Sequence, residues 1–87
     1  MPLADIPKSH RRFFVKVERY LPSGDRNDPI PLKEPRYYVM DRPVNMRGEK
    51  SSFMGTKITI AHGPFVGPEG KAKAEEIARI RNEDWHR

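Results

Sequence analysis

Proline placement most constrains what this chain can fold into. All nine prolines fall at or before Pro68, and they cut everything ahead of that point into short pieces. Proline lacks a main-chain N–H and fixes φ, so it is excluded from helix interiors and from the middle of a paired strand. Residues 11–21 are rich in aromatic and β-branched side chains and end at the turn signal Pro22-Ser23-Gly24, which predicts a strand. PSGDRNDPIPLKEP, residues 22–35, has four prolines and the Asp25/Asn27/Asp28 cluster, and reads as a loop. Residues 36–42 read as a second strand stopped by Pro43. Residues 43–52 read as a second loop, and residues 53–62 as a third strand stopped by Gly63-Pro64.

The segment after Pro68 has a different period. Pro68 sits near a first helical position, and Glu69 falls where the helix dipole favours a negative charge. KAKAEEIARIRNEDWHR then places Ala74, Ile77, Ala78 and Trp85 on one side at helical spacing, with the Arg81 stem among them. Glu75 and Arg79 form an i,i+4 pair in the favourable order, and the charged residues at 73, 76, 83 and 84 face away. The expected fold class is α+β. A three-stranded antiparallel sheet in the order β-β-β-α carries one C-terminal helix on one face, with long Pro-rich loops. Residues 1–9, broken by Pro2 and Pro7, read as a flexible N-terminal arm that Leu3 and Ile6 can tack to the body. Residues 10–87 read as a single small domain.

Composition bounds the partners. The chain has no cysteine, so disulfides and thiolate metal sites are excluded. It has no apolar run of membrane-spanning length, and MPLADIPKSHRR lacks an apolar signal core, so a cytoplasmic, reducing compartment is expected. The formal charge is +5, and residues 1–21 carry +3 of it, through Lys8, Arg11, Arg12, Lys16 and Arg19 against Asp5 and Glu18. Such a basic patch attracts phosphate or an acidic protein face.

Strand side chains alternate between faces. Phe13, Val15, Val17, Tyr37, Val39, Met54, Ile58 and Ile60 form the apolar set that the helix must cover. The outer face is then expected to show Phe14, Lys16, Tyr20, Arg36, Tyr38, Met40, Arg42, Phe53 and Lys57. This assumes no β-bulge, because one slipped residue inverts a strand. Lys8, Arg11 and Arg12 extend the outer face at the strand entrance. Rings on an open sheet stack bases, and neighbouring Lys and Arg hold phosphates. RRFFVKVERY has the aromatic and basic make-up of an RNA-recognition strand. It lacks that motif's glycines, and the chain lacks the second helix and fourth strand, so the pattern does not carry that family.

No constellation of catalytic groups is visible. His10, His62 and His86 have no metal-ligand spacing. SGDRND lacks the pattern of a calcium loop, Ser51-Ser52 has no local base, and GPFVGPEGK lacks phosphate-loop spacing. Neither catalysis nor a cofactor is expected. Two binding readings remain, nearly level. The first is a small basic module for nucleic acid or nucleoprotein. The second is a protein-binding module or inhibitor that docks on a larger, nucleic-acid-handling complex, in the manner of CRISPR inhibitors from phages and mobile elements. Glu18, Glu34 and Asp41, interleaved with the cations, lean toward the second. The outer face is also a possible homodimer contact.

Overall fold

A computed structural model describes residues 2–21, 28–44, 47–49 and 57–87. Two 3-10 turns, Leu3–Asp5 and Lys8–His10, lead into strand β1 (Phe13–Tyr20). Strands β2 (Pro31–Asp41) and β3 (Thr59–Val66) follow, and then helix α1 (Gly70–Trp85). The sheet order is β1-β2-β3 with both pairings antiparallel, so the β-β-β-α meander is the observed fold. Phe13, Val39, Ala74 and Ala78 form the buried centre. Val15, Tyr37, Ala61, Phe65, Ile77 and Trp85 pack around it.

The second strand is longer than expected. It begins at Pro31, inside the segment read as a loop, and tolerates Pro35 although it is the central strand. The ladder explains why. Arg42 donates its N–H to the Arg12 carbonyl, so the even-numbered residues at this end of β2 bond to β1 and the odd-numbered ones face β3. Pro35 faces the β3 side just past the Arg36–Val66 pair, where β3 has already ended, and no ladder bond is lost.

The third strand departs further. It runs through the cis Gly63-Pro64 bond instead of stopping there, and residues 53–56 of the expected strand lie outside the described residues. Gly63 has φ of 115°, and a Cβ there would stand 2.9 Å from the Tyr37 carbonyl oxygen, so glycine is required. The strand takes the opposite phase to the one expected: its odd-numbered residues face the helix, and the two one-residue register shifts on either side of Val39 leave that parity unchanged. Ala61 and Phe65 meet the helix, whereas Ile60 pairs with Met40 on the opposite face. Ile58 and Ile60, expected in the core, are 52% and 59% exposed. Val17, also expected inside, is partly exposed near the far end of β1.

Helix α1 contacts the sheet through a narrow stripe of small residues. Gly70, Ala74, Ala78 and Asn82 are buried at intervals of four, and Ile77 and Trp85 flank them. Gly70 is placed so close that a Cβ would lie 2.8 Å from the Phe65 carbonyl oxygen. Arg79 pairs with Glu76 and Glu83 and not with Glu75, which lies toward β1. Glu83 does not face away, because it accepts the Leu3 N–H at 2.8 Å and anchors the arm. Ile6, 1% exposed, anchors it further.

Candidate binding face and strand edge

Cross-strand pairing assembles the face opposite the helix in rows. Phe14, Met40 and Ile60 form one row, Lys16 and Tyr38 a second, and Glu18, Arg36 and Val66 a third. Tyr20 lies at the end of β1, 53% exposed. Met40 is buried, Phe14, Tyr38 and Arg36 are half-buried, and Lys16, Ile60 and Val66 are exposed. Glu18 Oε1 stands 3.4 Å from both Arg36 Nη1 and Tyr38 Oη, a long separation for a hydrogen bond. Ile60 and Val66, which sequence alternation places elsewhere or omits, supply much of the apolar area here.

The arginines expected to hold phosphate have partners within the chain. Arg11 donates through Nε to the Ile6 carbonyl and through Nη2 to the Leu3 carbonyl, each at 3.0 Å. Arg42 Nη2 reaches the carbonyls of Lys8 at 3.0 Å, Ser9 at 3.4 Å and Arg11 at 2.7 Å. Arg12 makes a two-pronged pair with Asp41 at 2.6 and 2.9 Å. Its guanidinium lies 4.7 Å from the Trp85 ring centre and 5.2 Å from that of Phe13, toward the helix and away from the outer face. These three side chains bind the arm and the strand ends together.

Lys57 was expected on the outer face. It instead lines a hollow of about 60 Å³ with Arg12, Asp41, Pro43 and Thr59. Asp41 and Thr59 share the Phe13 row, and Lys57, two residues from Thr59, falls on that same side. Phe53 lies outside the described residues. Lys8 and Lys16 are exposed and form no ion pair among the described residues.

Asn82 is a polar residue that the sequence reading missed. It is 2% exposed, accepts the Phe13 N–H at 2.9 Å and donates to the Phe13 carbonyl at 2.8 Å. A carboxamide presents an acceptor oxygen beside a donor NH2, and so matches the N–H and carbonyl of a strand residue as a paired strand would. The available signal was the spacing of four from Ala78. Beside it, β1, α1 and the arm enclose a cleft of about 510 Å³, lined by apolar Leu3, Phe13, Val15 and Ala78 and by cations at its rim.

The rings of His62 and His86 are held by hydrogen bonds. His86 Nε2 donates to the His10 carbonyl at 2.7 Å, and Arg81 Nη1 donates to His62 Nε2 at 3.2 Å. Among the described residues no group of three or more His, Cys, Asp or Glu is placed to hold a metal ion. No helix among them is long and apolar enough to cross a membrane. Arg79 has its pKa raised above the ordinary value, first by the hydrogen bond it donates to Glu76, then by the charges of Glu76 and Glu83. Comparison with protein-family models, with curated proteins and with solved structures finds no match for this chain.

Proposed function

We propose that this protein is a non-enzymatic binding module that docks on another protein through the outer face of its sheet. One observation carries the reading. Arg11, Arg12 and Arg42, the cations a phosphate track would need, are engaged within the fold, while the outer face exposes Ile60, Val66 and Tyr20 beside half-buried Phe14 and Tyr38. Aromatic and apolar side chains with one interspersed lysine suit the centre of a protein interface. The net charge of +5 favours a partner surface that is acidic or close to nucleic acid.

A second reading, direct binding of single-stranded nucleic acid, is favoured by one pair. Lys16 lies directly across from Tyr38, an ammonium beside a ring on an open sheet. Fluorescence-anisotropy titrations against single-stranded and duplex oligonucleotides at two salt concentrations separate the two readings. Under the protein reading there is no oligonucleotide binding, and Ile60→Lys abolishes partner association while leaving the fold intact. Tight binding that weakens steeply with salt and is lost in Lys16→Glu overturns it in favour of nucleic acid.

A further inference from the structure

The free edge of β1 has a built boundary. Because Arg12 and Arg42 form a bonded pair, Phe14, Lys16 and Glu18 turn their main-chain groups toward β2. Phe13, Val15 and Val17 turn theirs outward, and β1 is the last of the described strands on that side. Asn82 satisfies the outward N–H and carbonyl of Phe13. No described residue does the same at Val15 and Val17. An unpaired run of this kind is a template for an added strand unless it is covered or charged.

A trough follows that run. The cleft of about 510 Å³ adjoins a second hollow of about 240 Å³, and the two share Val15 and Glu75. Lys8 stands at the first beside Arg11 and Arg42, which donate to neutral carbonyls that leave their charge in place, and Arg19 and Lys71 stand around the second. Arg79 also lines the first, but Glu76 and Glu83 already neutralise it. Among the described residues, Glu75 is the one carboxylate lining either hollow. The floor is apolar and the rim carries a surplus of positive charge.

We infer that the β1 edge accepts an extended acidic peptide as a fourth strand, pairing with Val15 and Val17 and halted at Phe13 by Asn82. Main-chain bonds hold the peptide, and its alternate side chains meet the apolar floor and the cationic rim. A second copy of this chain fits less well, since both partners would bring the same cations together. Phe14 borders both this surface and the outer sheet face, but amide exchange at Val15 and Val17 reads the β1 edge alone, so the inference stands or falls independently of the proposed function.

The test is amide hydrogen exchange of the full chain, followed by NMR. The probe is a short acetylated and amidated peptide of alternating Val and Glu. Exchange at Val15 and Val17 is expected to slow by at least about tenfold, which corresponds to about 1.4 kcal/mol of added protection. Two control peptides leave it unchanged, one with Lys for Glu and one N-methylated at alternate amides. Val17→Pro, which removes one outward N–H, loses the response. Should that variant not fold, the N-methylated peptide supplies the same information with the protein untouched. Unchanged exchange with the Glu peptide overturns the inference, as does equal slowing by the Lys peptide. Slowing that rises with protein concentration in the absence of peptide assigns the edge to a second copy and also overturns it.

Discussion

Replacing Asn82 with alanine removes the side chain that pairs both outward main-chain groups of Phe13. The two bonds measure 2.9 and 2.8 Å and lie in the core, where Asn82 is 2% exposed and Phe13 3% exposed. Each buried main-chain group left without a partner costs about 1–3 kcal/mol, so the variant should lose about 2–6 kcal/mol. That is a large part of the stability of a small domain. With a urea m-value of about 1 kcal/mol/M, the unfolding midpoint should fall by at least about 2 M, followed by far-UV circular dichroism. Asn82→Asp sharpens the argument. It keeps an acceptor for the Phe13 N–H but turns a buried carboxylate toward the Phe13 carbonyl. At neutral pH it should be at least as damaging as alanine. A protonated acid can donate to that carbonyl, so the folded state raises the carboxyl pKa above the unfolded value of about 3.9. A raised folded pKa stabilises fully below the unfolded value, and the gain is lost as pH rises through the folded pKa. Stability of Asn82→Asp relative to wild type should therefore recover on acidification. A loss below about 0.5 kcal/mol in Asn82→Ala would refute the reasoning, because the Phe13 groups would then be as well served by water.

Three further substitutions test the packing. Gly70→Ala normally gains about 1 kcal/mol in a helix, but a Cβ 2.8 Å from the Phe65 carbonyl oxygen should reverse the sign and cost about 1–3 kcal/mol in thermal unfolding; a rise in Tm would show that the helix is not held so close. Arg12→Lys keeps the charge but loses the two-pronged contact with Asp41 and the stacking on Trp85, so it should cost about 1–2 kcal/mol, and a double-mutant cycle with Asp41→Asn should return a coupling of about 1 kcal/mol. Arg42→Ala frees the carbonyls of Lys8 and Arg11, each bond contributing about 1 kcal/mol, and limited trypsin digestion should cut the arm more than about tenfold faster; an unchanged rate means that Ile6 and Glu83 hold the arm unaided.

The sequence by itself determined the meander, the single helix and the inner face of the first two strands. The turn signals Pro22-Ser23-Gly24 and Pro43 predict strand ends, β1 and β2 end just before them, and the alternation Phe13-Val15 against Phe14-Lys16 matches the ladder residue for residue. These are local properties, set by φ restriction and by the strand period of two. The tertiary structure decided what depends on neighbours. Pro35 is compatible with a central strand because β3 ends opposite Arg36, a fact about the partner's length. Ile60 and Lys57 lie on the sides opposite to those expected because alternation alone does not say which phase of β3 meets the helix; Ala61 and Phe65 pack beside it and Ile60 turns outward. Asn82 reads as a polar helix residue until the Phe13 edge is placed beside it. The guanidinium groups of Arg11, Arg12 and Arg42 read as a track for phosphate because sequence records their charge. It does not record reach, and long flexible side chains find carbonyls and carboxylates that only the folded chain brings within 3 Å.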